Sequence, residues 1–445
     1  MKTQKARSTP GAQTPQTSPS EVGAEMYRWA SDLFPICRSL TGDGVRETLA
    51  YLGRLVPSLT VHEVPSGTEA FDWTVPDEWN IRDAFIEDES GRRVVDFSRS
   101  NLHVVGYSTP VDEWLTLEEL QPHLHSLPDQ PDAIPYVTSY YAKRWGFCLP
   151  HSTREALPDG RYHAVIDSTL EPGSLTYGEV LIPGRDSREI LLSTYICHPS
   201  LANDNLAGAT VAAFAGRLLG GLRRRYSYRL LFVPGTIGSI AWLAQNEATV
   251  GRIAHGLVLA CLGDGGHPTF KQSRRGDAEI DRVAGHVLRH RGAHDIAGFS
   301  PYGYDERQYC SPGFDLPVGC LMRTPHGRYP EYHTSADNLD LVRPEALADS
   351  LDLLLEILEV LEHNRTYVSQ NLKCEPQLGK RGLYRSMGGL ADAGVVEMAL
   401  LWVLSLSDGQ HSLLDIAERA GQAFDGVHRA AELLVEHGLL KEAAV

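Results

Sequence analysis

No part of this chain offers the roughly 18 to 20 consecutive apolar residues that a membrane-spanning helix needs. Its first residues, MKTQKARSTPGAQTPQTSPS, hold no apolar segment of the kind a secretory signal carries. Both absences predict a soluble, cytoplasmic protein without a membrane partner. The seven cysteines (37, 148, 197, 261, 310, 320 and 374) form no CxxC pair and are odd in number. A disulfide framework is therefore not expected, and a reducing compartment is favoured. Basic residues are outnumbered, 41 Lys and Arg against 57 Asp and Glu, for a net charge of −16. That balance argues against a nucleic-acid partner, because phosphate binding needs a basic surface. The chain has no glycine-rich phosphate loop of the GxGxxG or GxxxxGK type and no GxSxG elbow. Nucleotide binding and a serine α/β-hydrolase mechanism both lack their handle. Cys197 beside His198 closes an apolar run, which reads as a core cysteine rather than a thiol nucleophile.

What is present is long and changes texture. A chain of 445 residues exceeds what one hydrophobic core serves, so more than one domain is expected. Residues 1–20, rich in Ser, Thr, Pro and Gln, read as a disordered tail. Met26, Trp29, Leu33 and Ile36 recur three or four apart, and VRETLAYLGRLV follows Gly44, so two helices are predicted before residue 60. Residues 61–162 are dense in aromatics, Pro and Gly, with short alternating runs such as NLHVVGYS, and read as an inserted β-rich module. Within it Thr116 stands three residues before Glu119, as in a capping box.

From 163 to 370 apolar strands alternate with helices: EILLSTYIC, LAGATVAAFAGRLLGGL, YRLLFV, Ile237–Glu247, GLVLACL, Asp277–His290, LPVGCLM and Pro344–Glu362. Together with residues 21–60 they predict an α/β domain, a mostly parallel sheet flanked by helices. In such sheets ligands bind beyond the carboxyl ends of the strands. Residues 371–445 have the rhythm of a helix-turn-helix with a small wing, a winged-helix-like domain. From Trp402 on it has three Lys/Arg against seven Asp/Glu, which fits a protein contact or homo-oligomerisation better than DNA.

Three polar loops follow predicted strands. In CHPSLANDNLAG, His198 comes directly after a buried strand and Asp204 stands before a helix. An imidazole and a carboxylate converging there suit Zn²⁺, although the pair would also serve as strand and helix caps. In LGDGG, Asp264 is flanked by glycines that admit either a ligand or a plain turn. Residues 301–338 gather Asp305, Glu306, His326, Glu331, His333 and Asp337 among four tyrosines, the composition of a lined pocket.

The phrases PICRSLTGDGVRETL, SNLHVVGYS, DAIPYVTSYYAKRWGFCL, DSTLEPGSLTYGEVLIPG, STYICHPSLANDNLAG, PYGYDERQYCSPG, YPEYHTSADN and CEPQLGKRGLY resemble, in that order, a bacterial family with an aminopeptidase-like domain. Some of its members are described as polysaccharide-biosynthesis proteins. The resemblance implies a zinc-exopeptidase-like sheet, an inserted β domain and a C-terminal winged helix. It further implies His198 as first metal ligand, Asp204 as the helix-start carboxylate, Asp264 as the later aspartate and His333 as the last ligand. Aminopeptidases of this fold carry acidic residues on the loop that here reads PGTIGS, and Gly235 can neither bind a metal through a side chain nor take a proton. One zinc ion rather than two is the expectation, with Glu306 or Glu331 supplying the base and Arg307 and Tyr332 lining the substrate pocket. The implied activity is cleavage of an amide in a small peptide or aminoacylated metabolite. The rival expectation is a hydrolytically silent relative that binds a ligand or scaffolds other proteins.

Overall fold

The computed structural model describes residues 18–383 and 393–443. Residues 1–17 of the expected tail, and 384–392 and 444–445 of the expected C-terminal domain, lie outside the described residues. Pro19 and Ser20, the end of the stretch read as a tail, are helical. Ser18 and Glu21 cap one another's backbone N–H groups, and that capping box starts the helix Pro19–Leu33 at its proline.

Eight strands build the central sheet: β1 Thr60–Pro65, β2 Ser174–Ile182, β3 Glu189–Tyr195, β4 Ser227–Val233, β5 Ile253–Leu259, β6 Thr269–Lys271, β7 Asp295–Ala297 and β8 Val318–Met322. Their order is β1-β2-β4-β3-β5-β8-β6-β7, and the four in the middle run parallel. Every residue of β3 is buried, which is why its sequence shows no apolar–polar alternation. Ile190 and Leu192 pack on one face with helices Pro19–Leu33, Gly208–Leu219 and Pro344–His363. Leu191 and Tyr195 pack on the other with helix Ile237–Asn246 and the inserted module. Each fully buried aliphatic or aromatic side chain contributes roughly 1.5–3 kcal/mol, so these two faces carry most of the fold's stability.

The chain leaves β3 for β4 on one side and then returns past it to β5 on the other. A strand order that reverses in this way opens a crevice at the carboxyl ends of β3 and β5. The inserted module is a four-stranded antiparallel sheet (Arg93–Asp96, Glu78–Asp88, Arg161–Glu171, Val111–Thr116). The capping box between Thr116 and Glu119 is present in it. The module also sends residues 134–136 to the crevice, where Tyr136 N–H donates to the His333 carbonyl (2.8 Å) and Ser335 N–H to that of Ile134 (2.8 Å).

At the C-terminus, helices Ala393–Leu406, Leu413–Ala420 and Phe424–Glu436 pack with a three-stranded sheet. Arg282 of the α/β domain reaches Asp415 (2.6 Å) and Glu418 (2.5 Å) there. No helix among the described residues is long and apolar enough to cross a membrane.

Candidate metal centre

Four loops meet at the carboxyl rim, after β3, β4, β5 and β8. Asn205 ties two of them together: its amide donates to Thr194 Oγ1 (2.9 Å) and the Leu259 carbonyl (3.1 Å) and accepts from the Gly208 and Cys261 N–H groups. Helix Gly208–Leu219 starts so close to β5 that a Cβ on Gly208 would lie 2.4 Å from the Leu259 carbonyl oxygen, so only glycine fits. Of eight non-glycine residues with positive φ among the described residues, Ser200, Cys261 and His333 sit on these loops. Strained backbone concentrated at one rim is a mark of a functional site.

His198, Asp204 and His333 converge, their candidate ligand atoms within 4.8 Å of one another. His333 Nε2 and Asp204 Oδ2 stand 3.0 Å apart, yet they are misaligned for a hydrogen bond, and both are buried with no hydrogen-bond partner. A buried ring nitrogen and a buried carboxylate oxygen that face one another without hydrogen bonds suit a cation site, since most buried polar atoms are satisfied. Donors held at 2.0–2.2 Å by one tetrahedral zinc ion stand roughly 3.4 Å apart, so small side-chain rotations close the set.

The electrostatics agree. Burial pushes the His198 imidazole down to about 4, against the pull of the Asp204 charge, so the ring is neutral near pH 7 with a lone pair to offer. Burial works to raise the Asp204 carboxyl, but the rings of His198 and His333 outweigh it and hold the group well below the usual carboxylate range.

Neighbouring residues fix these side chains. Buried Arg38 donates from Nε to the His198 carbonyl (3.0 Å). Asp337 accepts from the backbone N–H groups of Asn203 (2.6 Å) and Asp204 (3.1 Å) and from the Tyr329 hydroxyl (3.1 Å). Tyr136, from the inserted module, meets the rings of His198 and His333 edge-on at 5.1 Å.

The other expected site residues fall elsewhere. Asp264 is not in the ligand group; its oxygens are taken by Asn203 Nδ2 (2.9 Å), Thr324 Oγ1 (2.7 Å) and the Gly266 N–H (2.6 Å), so it braces the rim. Glu306 is fully buried in an ion pair with Lys271 (2.7 Å) and caps the Tyr304 N–H (3.0 Å), an arrangement that occupies its carboxylate and removes it as a free base. Arg307 is exposed and donates to the Tyr304 carbonyl (3.2 Å). Glu331 is half-buried, with no partner for its carboxylate among the described residues. Tyr332 stacks on His333 at 4.0 Å, as a wall of the pocket should.

Sequence reasoning passed over Tyr195 and Cys261, and gave His326 and Tyr304 no role beyond membership of the polar loop 301–338. Tyr195, the last residue of β3, donates its hydroxyl to Asp204 Oδ1 and lies 2.9 Å from His326 Nε2. Asp204, Cys261 and His326 form a second group with ligand-capable atoms within 4.8 Å of one another. Tyr304 stacks on Tyr195 at 3.7 Å and places its hydroxyl 3.3 Å from His198 Nε2. A Cβ on Gly235 would lie 1.9 Å from Tyr304 Cε1, so the tyrosine ring fills the volume that a side chain on the β4 loop would need. The tyrosine-rich composition of 301–338 was the one available signal; nothing local marked Cys261 or Tyr195.

Sheet topology, crossover helices and the histidine–carboxylate–histidine rim define an α/β protein of the aminopeptidase fold. Residues 27–364 match the family described as a domain of unknown function, DUF4910, and the chain belongs to it; residues 365–442 match a winged helix-turn-helix. A Clostridium acetobutylicum protein named "Putative polysaccharide biosynthesis protein with aminopeptidase-like domain" is 51% identical over 423 residues, 95% of this chain and 97% of its own. The crystal structure of a "putative peptidase" from the same organism superposes with a TM-score of 0.91 at 49% identity, covering 96% of this chain and 97% of that one. A zinc aminopeptidase from Bacillus subtilis superposes with a TM-score of 0.57 at 10% identity, over 78% of this chain and 96% of that one, a likeness of fold alone.

Proposed function

We propose that this chain is a zinc-dependent amide hydrolase of aminopeptidase type, acting on a small peptide or an aminoacylated metabolite. The observation that carries the reading is the pair of orphaned buried atoms, His333 Nε2 and Asp204 Oδ2, beside a neutral His198. One Zn²⁺ held by His198, Asp204 and His333 would supply Lewis acidity toward an amide carbonyl and a bound water whose pKa falls to about 7. The chain's own residues do the rest. Arg38 and Asp337 fix the backbones of His198 and Asp204, so the donors need little reorganisation. Tyr304 offers a hydroxyl at the His198 edge of the site, and Tyr332 an aromatic wall on the His333 side. Glu331 is the acid left free to accept a proton, because Glu306 is held by Lys271.

The test is metal analysis of the purified chain, followed by zinc and chelator additions over a panel of aminoacyl amides. Stoichiometric zinc with chelator-sensitive cleavage, lost in Glu331→Gln, supports the reading. Absence of both zinc and cleavage ends it.

One observation favours a second reading. Tyr304 occupies the volume above Gly235 where aminopeptidases of this fold carry acid, which fits a hydrolytically silent ligand-binding or scaffold protein. Zinc bound without cleavage of any amide in the panel would support this alternative.

A further inference from the structure

The two oxygens of Asp204 face different surroundings. Oδ2 stands 3.0 Å from His333 Nε2 and has no hydrogen bond. Oδ1 receives the hydroxyl proton of Tyr195. That same hydroxyl stands 2.9 Å from His326 Nε2. A phenol has one proton to give, so with that proton on Asp204 the oxygen accepts from His326 Nε2–H. Around Oδ1, then, a neutral hydroxyl sits between an acid and an imidazole that, with Cys261, are the second ligand-capable group on this carboxylate.

We propose that the Tyr195 hydroxyl stands in the place of a second cation, so that the chain binds one divalent ion on His198, Asp204 and His333 and keeps a latent second site on Asp204, Cys261 and His326. The proposal rests on the metal reading above and adds the residue that limits it to one ion.

Three further observations support it. Tyr195 is fixed: it is 1% exposed, ends the fully buried β3, and stacks on Tyr304, whose own ring is wedged against the Gly235 backbone. The hydroxyl cannot swing aside without unpacking both rings. The charge also fits one ion and not two. Asp264, Glu306 and Asp337 are all turned to other partners, and Asp204 is the one carboxylate in either ligand-capable group among the described residues. Two divalent ions would bring four positive charges against that single anion in a buried site, a poorly compensated arrangement. Finally, Cys261 reaches the site because its backbone turns through φ +48 just after β5, a strained conformation for a non-glycine residue.

The experiment uses the full chain stripped of metal and titrated with zinc alone, then with cadmium alone, by equilibrium dialysis and elemental analysis. Cadmium adds a thiolate-to-metal charge-transfer band in the near ultraviolet that reports Cys261. The wild type is expected to saturate at one ion per chain without that band. Tyr195→Ala, which removes both hydroxyl and ring, is expected to saturate at two ions with the band. Adding Cys261→Ser to Tyr195→Ala is expected to abolish the band and return the count to one.

Two ions or a thiolate band in the wild type overturns the proposal, and that measurement stands even if Tyr195→Ala fails to fold. A folded Tyr195→Ala that saturates at one ion also overturns it. A wild type that binds no ion at all overturns the metal reading itself, a result distinct from the other two.

Discussion

Asp204 is one residue with two unlike sides. Beside His333, Oδ2 has no hydrogen bond; Oδ1 accepts from the Tyr195 hydroxyl, which also stands 2.9 Å from His326. The two groups share the carboxylate, match in compactness and lie on the same rim. What separates them is whether a neighbouring side chain supplies the missing partner. Ligand-type residues in proximity therefore do not by themselves define a cation site; the further mark here is that ligand atoms of one group also lack hydrogen bonds.

The hardest way to break this asymmetry is to remove its shared anchor. Asp204→Asn keeps the shape and deletes the charge both sides use. Losing even an indirect partner of a metal ligand costs roughly 10–100-fold in affinity, so losing the ligand itself is expected to cost more than about 100-fold. Zinc titration calorimetry on the metal-free chain measures this directly. Unchanged affinity would mean that the cation, if bound, sits elsewhere.

A smaller effect comes from restoring acid to the loop after β4. Gly235→Glu puts its Cβ into the Tyr304 ring, 1.9 Å from Cε1. Overpacking of a tight site is expected to lower stability by roughly 1–3 kcal/mol. Chemical denaturation of the single variant and of the pair Gly235→Glu with Tyr304→Ala separates clash from chemistry. The pair should regain most of the loss; if the single variant unfolds like the wild type, Tyr304 is not wedged where the structure has it.

How much of this could be read in advance follows the same contrast between local and distant partners. The strand–helix alternation was legible because strands buried on both faces are apolar runs, as β3 is. The Thr116–Glu119 capping box was legible because both partners lie within one turn. The convergence of His198, Asp204 and His333 followed from strand-end loops and from the order of residue types in the family resemblance.

What escaped depended on partners far along the chain. Glu306 looked like a free acid in a polar loop, yet Lys271 on the short strand β6 holds it. GLVLACL looked like strand through Leu262, but β5 ends at Leu259 and Cys261 turns into the site with no glycine to announce it. Asp264 has the right type and a plausible loop, and its oxygens still go to Asn203, Gly266 and Thr324. Residue type and local spacing were sufficient to find the rim, but not to say which way each side chain points.

The smallest expected effect sharpens the comparison by setting Asp204 against another buried acid on the same rim. Asp305 is fully buried; Ser239 donates to its Oδ1 (2.8 Å), while Oδ2 has no partner. With no imidazoles around it, burial pushes this carboxyl up to about 7, opposite to Asp204. The linkage signs oppose as well. Asp305 binds its proton more tightly folded than unfolded, so its contribution is fully present below the ordinary aspartate pKa near 4 and is lost as pH rises toward 7. Asp204 is depressed, so its contribution is present above pH 4 and is lost on acidification. Asp305→Asn removes the first contribution and leaves the second. Its stability relative to wild type should rise between pH 4 and pH 7, by on the order of 1 kcal/mol or more, while the unpartnered amide lowers the whole curve equally at every pH. Thermal melts across that window measure the slope. A variant that parallels the wild type at every pH would show that Asp305 is already ionised in the folded chain, and that the two buried acids do not differ in the way their surroundings require.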